Sequence, residues 1–253
     1  MSGHSKWATI KRSKGKADAA RGKVFNRLIR EITVAARMGG GDPNSNVRLR
    51  SAIGSARAAN MPGKNVENAI LKGTGQLEGV SYEEVTFEGY GPNGVAMLIE
   101  CMTDNRTRTV ADVRHLLTKC GGNLGQTNSV SWMFKSKGII RVPKAAMAED
   151  PLMEVVLDAG ADDMALDGDE YEITTAPDAF DAVRQALEKA KVTTTSAEVT
   201  KVGENPINCD AGTASRIMKL VEALDELDDT QHVYANFDVS DAVMAELAKQ
   251  ENV

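Results

Sequence analysis

Residues 2–38 are the part of the chain around which the rest is organised, and they read SGHSKWATIKRSKGKADAARGKVFNRLIREITVAARM. It holds ten Lys or Arg residues against two acids, Asp18 and Glu31. From Ala17 to Arg37, apolar residues recur at helical spacing, which predicts an amphipathic helix whose cations lie mostly off the apolar stripe. Residues 2–16 lack this periodicity and are predicted to form an arm or a short turn.

The charge of the chain is divided between two segments. Residues 1–75 contain 15 basic and 4 acidic residues, whereas residues 76–253 contain 15 basic and 32 acidic ones, which together give the net charge of −6. A basic module on an otherwise acidic chain predicts a polyanionic partner, most often a nucleic acid. The alternative is an ordinary solvated helix face, which the imbalance of ten cations to two acids disfavours.

Composition narrows the class of protein further. The chain has 253 residues, of which 42% are hydrophobic and only 4% aromatic, so aliphatic side chains must build its cores. No apolar run is long enough to cross a bilayer, and the N-terminus lacks the apolar region of a signal peptide. The three cysteines show no pairing pattern, as expected for buried thiols in a reducing compartment. We therefore expect a cytoplasmic protein with no membrane partner.

Two more helices are predicted before residue 76. One starts with Asp42 as N-cap and Pro43 in the first helical position, and the other runs from Lys64 to Lys72. With the first helix they make residues 1–76 an all-α, basic, nucleic-acid-binding domain.

The pattern changes after Gln76. Residues 84–90 and 95–102 are predicted strands, a helix follows from Thr107 to Lys119, and residues 130–134 are a further predicted strand. The glycines at 89, 91 and 94 match the GxGxxG pattern of dinucleotide-binding loops. Pro92 inside that pattern and the strand after it favour a hairpin turn at Asn93-Gly94 instead.

Residues 137–203 read as a ferredoxin-like block. The predicted elements follow the order βαββαβ, with a hairpin around Asp167-Gly168. Residues 204–240 supply a strand, a helix and a strand that complete the domain begun at residue 77. The predicted fold class is therefore α+β with three domains: an N-terminal all-α three-helix module followed by two ferredoxin-like α/β domains. The middle domain takes residues 77–136 plus 204–240, the last α/β domain (137–203) is inserted into it, and residues 241–253 form a C-terminal tail.

Trp7 lies among the lysines of the arm, where it could stack on an exposed base or pack against the first helix. The sequence leaves these two alternatives equally open. The low aromatic content argues against base-stacking sheets in the α/β domains. Nothing in the spacing of the cations favours DNA over RNA.

Other polar clusters give weaker signals. Five acids crowd together between positions 162 and 170 and could in principle hold a divalent cation, but acids flanking a hairpin and facing water are the favoured interpretation; they are Asp162, Asp163, Asp167, Asp169 and Glu170. The acidic run from Asp225 to Asp229 reads as a solvated helix end. The three histidines lack metal-ligand spacing, and His115 is interpreted as a core residue. No catalytic residue, metal site, cofactor or small-molecule substrate is predicted.

Several motifs together resemble one family. They are GHSKWATIK (3–11), RGKVFNRLIREI (21–32), GGGDP (39–43), AANMP (58–62), KGTG (72–75), YGPNGVA (90–96), the segment from TDNRTRT to GGNLG (103–125) and SVSWMF (129–134). The chain is similar over essentially its whole length to the YebC family, which includes bacterial YebC/PmpR regulators and the mitochondrial translational activator of cytochrome oxidase subunit one.

The resemblance implies three domains and a cytoplasmic, non-enzymatic regulator of gene expression. Bacterial members act in transcription as DNA-binding regulators, and others act in translation, at mRNA or the ribosome. The family's basic surface maps onto nine cations of the first domain, and with Trp7 these are the predicted nucleic-acid-binding residues: Lys6, Trp7, Lys11, Arg12, Lys14, Lys16, Arg21, Lys23, Arg27 and Arg30.

The predicted function is thus a nucleic-acid-binding regulator of transcription, with DNA as partner, or of translation, with messenger or ribosomal RNA and the ribosome as partners. Two alternatives remain: a protein-binding adaptor and a metal-dependent enzyme, both using the acidic α/β domains.

Overall fold

The computed structural model describes residues 17–240, 242–244 and 247, with the backbone alone for residues 17–21. Predictions on residues 1–16 and on most of the tail lie outside this part. The helices are α1 (Ala17–Gly39), α2 (Val47–Ala58), α3 (Gly63–Gly73), α4 (Arg106–Lys119), α5 (Glu149–Asp158), α6 (Phe180–Lys189) and α7 (Ala211–Asp225). The strands are β1 (Glu83–Tyr90), β2 (Ala96–Thr103), β3 (Asn123–Leu124), β4 (Phe134–Pro143), β5 (Ala161–Asp167), β6 (Glu170–Thr175), β7 (Ser196–Gly203), β8 (Ile207–Asn208), β9 (Thr230–Ala235) and β10 (Phe237–Asp238).

The predicted α+β class is confirmed, because three N-terminal helices precede two four-stranded sheets with antiparallel pairing. The described chain separates into two compact units. One holds residues 132–208 and 234–238, and the other includes residues 17–131 and 209–233. The predicted domain boundaries, including the insertion, stay a prediction. None of the helices described here is long and apolar enough to cross a membrane.

Helices α1, α2 and α3 pack around a small aliphatic core. Its buried members include Ile32, Ala35, Leu49, Ala56 and Ala69. Three of these five residues are alanines, whose side chains end at Cβ, so the helix axes can approach closely. The predicted limits of α1 and α3 agree with the structure to within two residues.

The predicted start of α2 is wrong. Asp42 does not cap the helix; its Oδ1 accepts a hydrogen bond from the N–H of Asn44 at 2.9 Å, which makes a local turn. Asn46 is the N-cap, because its Oδ1 accepts from the N–H of Leu49 at 3.0 Å while its amide donates to the carbonyl of Ala35 at 2.8 Å. The cap therefore also fixes α2 against α1.

The first sheet has the strand order β3-β1-β2-β9. Strands β1 and β2 form the predicted hairpin, in register from Glu83 opposite Thr103 to Tyr90 opposite Ala96. Asn93 and Gly94 in the turn have φ angles of 59° and 74°, a left-handed backbone that Asn and Gly tolerate best. The hairpin interpretation of the glycine pattern is confirmed.

The predicted strand at residues 130–134 is wrong at its start. The N–H groups of Asn128, Val130 and Ser131 donate at 2.7–2.8 Å to the carboxylate of Glu88, which is 5% exposed. Burial raises the pKa of Glu88, but these three donors outweigh it and hold that pKa below its ordinary value. The donors are therefore unavailable for a strand ladder, and the ladder begins only at Phe134 in β4.

The second sheet has the strand order β5-β6-β4-β7. Its elements follow the predicted βαββαβ sequence, with α5 and α6 providing the helices. Ile140, Val156, Ile173, Val183 and Leu187 lie in the core that these helices and the sheet enclose, each with no exposed surface.

Candidate nucleic-acid interface

The predicted nucleic-acid-binding residues fall into three groups. Lys6, Trp7, Lys11, Arg12, Lys14 and Lys16 lie outside the described residues. Arg21 lies on α1, with only its backbone described. Lys23, Arg27 and Arg30 lie further along α1 and are at least partly buried.

Arg27 contacts the end of α7 and the strand after it. Its Nε donates to the carbonyl of Thr230 at 2.9 Å, and its Nη2 lies 2.8 Å from Oδ1 of Asp225 and 2.6 Å from the carbonyl of the same residue. Its side chain is 21% exposed. The guanidinium thus fixes α1 against the first sheet.

Arg30 enters the same region one turn later. Its Nη1 lies 3.1 Å from Oδ1 of Asp229 and donates to the carbonyls of Met102, at 3.1 Å, and Asp228. Its guanidinium carbon lies 5.2 Å from the centre of the Tyr82 ring, within the range of a cation–π contact. With 14% of its side chain exposed, Arg30 is the least accessible of the predicted residues whose contacts are described.

Asp229 is the acid on which several of these contacts depend. Its Oδ2 accepts hydrogen bonds from Thr103 at 3.0 Å, Thr109 at 2.7 Å and Arg108 at 2.8 Å, and the residue is 5% exposed. Burial would raise the pKa of this carboxyl, but the bonds from Arg108, Thr109 and Thr103 and the charge of Arg30 hold it below its ordinary value. Asp229 is therefore ionised, and Arg30 and Arg108 balance its negative charge from two sides.

These contacts correct the interpretation of residues 225–229 as a solvated helix end. Asp225 and Asp229 are counter-ions to arginines of α1 and α4, whereas Asp228 is exposed. Sequence reasoning could not find these pairs, because about 200 residues separate the cations of α1 from their acids. The sequence gives one weak signal: the two arginines are three residues apart, at 27 and 30, and the two aspartates are four residues apart, at 225 and 229.

A second ionic contact joins the helices to β1. Arg48 donates to Glu31 at 2.7 Å and to Glu84 at 2.6 Å. The hydrogen bond from Arg48 is the main reason that the pKa of Glu84 lies below its ordinary value. Part of the positive charge of the helical module is therefore paired with acids of the fold, although the Arg48 side chain stays 37% exposed.

The acidic hairpin of the second sheet has a counter-ion of its own. Arg141 on β4 is 2% exposed and lies 2.5 Å from Glu172, 3.1 Å from Asp167 and 3.4 Å from Glu170. The expectation that Asp167 and Glu170 face water is wrong, since their side chains are 12% and 19% exposed. Asp162, Asp163 and Asp169 are exposed, as expected.

Burial raises the pKa of Glu172, in spite of Arg141 beside it. Within the described part of the chain, no group of three or more His, Cys, Asp or Glu residues is arranged to hold a metal ion. His115 is exposed on α4, so its interpretation as a core residue is wrong.

Comparison with known proteins places these features in a family. The model of the TACO1/YebC protein N-terminal domain matches residues 5–76, and that of the TACO1/YebC second and third domain matches residues 82–237. The chain belongs to the TACO1/YebC family. All ten predicted nucleic-acid-binding residues lie within the match to the N-terminal domain.

Relatives in this family are similar over their full length. A probable transcriptional regulatory protein of Geobacter sulfurreducens is 56% identical over 98% of this chain and 100% of its own. Another, from Desulfatibacillum aliphaticivorans, is 52% identical over 97% of this chain and 100% of its own. The crystal structure of a conserved hypothetical protein from Aquifex aeolicus superposes with a TM-score of 0.77, at 46% identity, over 88% of this chain and 93% of that one.

Proposed function

We propose that the protein is a non-enzymatic, nucleic-acid-binding regulator of gene expression in the cytoplasm that binds phosphate through its basic N-terminal domain. The observation that carries the proposal is the run of five Lys or Arg residues without an acid in residues 2–16, directly before α1. Cations of this density neutralise backbone phosphates and release counter-ions. The family membership supports the proposal, because relatives are named probable transcriptional regulatory proteins.

The contacts of α1 give a structural role to two of the ten predicted residues. Arg27 and Arg30 are engaged with Asp225 and Asp229, so we assign them to holding α1 in place. We assign phosphate binding to the remaining cations and base stacking to Trp7; the cations are Lys6, Lys11, Arg12, Lys14, Lys16, Arg21 and Lys23. The cations between residues 6 and 23 thus bind, and Arg27 and Arg30 hold α1 in place.

Binding to full-length protein tests this proposal. A labelled 20-base-pair DNA duplex and a folded RNA hairpin would be titrated by fluorescence anisotropy at several salt concentrations. We expect affinity to fall steeply with salt, and the variant Lys11→Glu/Arg12→Glu/Lys14→Glu to bind at least about tenfold more weakly. The matched control is Lys144→Glu/Lys189→Glu/Lys191→Glu, which reverses three exposed cations of the compact unit that holds residues 132–208.

Two outcomes would overturn the proposal: binding to neither probe at low salt, or equal loss in both triple variants. A preference between the probes separates the two regulatory levels. Transcription requires tighter binding to the duplex, whereas translation requires tighter binding to RNA. Ribosome profiling of a deletion strain beside its transcript levels would test the same distinction in cells.

A further inference from the structure

Helix α2 contains three arginines and no acid over its whole length, from Val47 to Ala58. Arg48 is paired with two acids of the fold. Arg50 and Arg57 are exposed, and within the described part of the chain neither lies within ion-pair distance of a carboxylate. Two of the three positive charges of α2 therefore face solvent without a counter-ion.

The exposed face of α2 has two polar rows. Arg50 and Arg57 are seven residues apart, which is about two helical turns, so they form one row about 10 Å long at 1.5 Å per residue. Ser51 and Ser55 are four residues apart and form the other row, and both are exposed. Because successive residues of a helix turn by about 100°, Gly54 lies between the two rows. Every residue of this face is cationic, hydroxylic, small or apolar, and none is acidic.

The strip between the rows is low. It begins at Val47, which is 68% exposed, and continues through Gly54 to Ala58, which is also exposed. A Cβ on Gly54 would meet no atom within 4 Å, and glycine inside a helix costs about 0.5–1 kcal/mol relative to alanine. The packing of the described residues thus does not require a glycine here. Glycine does allow the backbone of another molecule to approach the helix closely.

Arg50 is oriented at the start of α2 without being neutralised. Its Nη1 donates to the carbonyls of Pro43, at 3.0 Å, and Asn44, at 3.2 Å. Asp42 is the exposed acid of this turn, and its Oδ1 accepts from the backbone and side-chain N–H groups of Asn44, at 2.9 and 3.1 Å, and not from Arg50. Nε and Nη2 of Arg50 have no hydrogen-bond partner among the described residues. These two groups can bind a phosphate bidentately.

We propose that this face of α2 binds the sugar-phosphate backbone of a nucleic acid, with Arg50 and Arg57 on two phosphates of one strand and the strand passing over Gly54. The occupant is a phosphate backbone because the face offers positive charge and hydroxyl donors, no acid that would repel it and no aromatic side chain for stacking a base. One strand of a duplex carries a phosphate per about 3.4 Å of axis, so a row of about 10 Å matches phosphates about three nucleotides apart. The inference rests on the proposed function and extends it to cations outside the ten predicted residues.

The first test removes the two charges from the full chain. Arg50→Gln/Arg57→Gln would be compared with Lys144→Gln/Lys189→Gln, which removes two exposed cations of the compact unit that holds residues 132–208. Affinity for the DNA duplex and the RNA hairpin would be measured by fluorescence anisotropy between about 50 and 200 mM salt, with circular dichroism to verify folding. We expect the α2 variant to bind about tenfold more weakly at low salt, with a salt slope reduced by about one to two, and the control to keep both values.

The second test fills the strip without changing the charge. Gly54→Gln adds a side chain where the fold has room, and because glutamine has the higher helix propensity, the melting temperature should not fall. We expect this variant to bind severalfold more weakly than wild type, because the added side chain keeps the strand away from the helix. Ala182→Gln, at an exposed position of α6, is the control and should bind like wild type.

The outcomes separate this inference from the proposed function. If the α2 arginine variant and its control have the same affinity and slope while Lys11→Glu/Arg12→Glu/Lys14→Glu loses affinity, α2 is not a binding surface and the proposed function stands. Absence of wild-type binding to both probes would overturn both. Wild-type affinity of Gly54→Gln would contradict the passage of a strand over α2.

Discussion

Arg30 and Arg108 lie on either side of one carboxylate: Nη1 of Arg30 is 3.1 Å from Oδ1 of Asp229, and Nη2 of Arg108 is 2.8 Å from Oδ2. The two arginines belong to helices separated by more than 60 residues of chain. The three side chains differ in exposure, with 14% for Arg30, 6% for Asp229 and 47% for Arg108. The pair with Arg30 is therefore the more strongly desolvated, whereas the hydrogen bond from Arg108 does more to lower the pKa of Asp229.

Removal of the charge on Asp229 tests this relationship. Asp229→Asn leaves Arg30 without its buried counter-ion, and we expect the free energy of unfolding to fall by about 2–4 kcal/mol. Asp228→Asn removes the same charge from the exposed neighbour and should change stability by less than about 0.5 kcal/mol. Urea unfolding followed by circular dichroism measures both. Equal stability of the two variants would contradict the assignment of Asp229.

Acid should abolish the contribution of Asp229. Its pKa in the folded protein lies below the ordinary value of 3.8, so the unfolded chain binds the proton first as the pH falls. The contribution is thus complete above about pH 4 to 5 and is lost as the pH falls through the folded-state pKa. We expect the stability difference between wild type and Asp229→Asn to be constant from pH 7 to 5 and to shrink below pH 4. A difference that is independent of pH down to pH 2 would contradict this.

The sequence predicts local structure well where one periodic pattern decides it, as in α1, α3, the β1–β2 hairpin and the βαββαβ block. It fails where a side chain that the pattern does not single out takes up the backbone groups. Glu88 takes the N–H groups of residues 128–131, and Asn46 displaces Asp42 as the cap of α2. The candidate site shows the same division, because charge density predicts a basic module but does not distinguish cations that face solvent from those that neutralise Asp225 and Asp229.

The roles of Arg27 and Lys11 can be separated by measurement. Arg27→Gln removes the contact with Asp225 and should lower the melting temperature by several degrees, with little change in the salt slope of nucleic-acid binding. Lys11→Gln should reduce that slope by about one without affecting stability. The control for the melting temperature is Arg57→Gln, on the exposed side of α2. If Arg27→Gln reduces the slope as much as Lys11→Gln at a temperature where both are folded, Arg27 contacts the nucleic acid directly.

Glu88 should protect the loop that it binds. Glu88→Gln replaces a carboxylate oxygen with an amide that cannot accept from all three N–H donors, so we expect a loss of about 2 kcal/mol. Hydrogen exchange should accelerate at the amides of Asn128, Val130 and Ser131. Glu83→Gln, at the exposed start of β1, is the control. Unchanged exchange at the three amides would show that the loop keeps its structure without the carboxylate.

Two glycines in the helical module should respond in opposite ways to substitution by alanine. A Cβ on Gly54 of α2 would meet no atom within 4 Å, so Gly54→Ala should stabilise the protein by up to about 1 kcal/mol through higher helix propensity. A Cβ on Gly73 of α3 would collide with the carbonyl oxygen of Thr33 and lie 2.8 Å from Cβ of Ala36, both on α1. Gly73→Ala must push α3 away from α1 and should destabilise the protein by about 1–3 kcal/mol. Thermal unfolding of the two variants beside wild type measures both shifts, and stabilisation by Gly73→Ala would mean that α1 and α3 do not pack as closely as described.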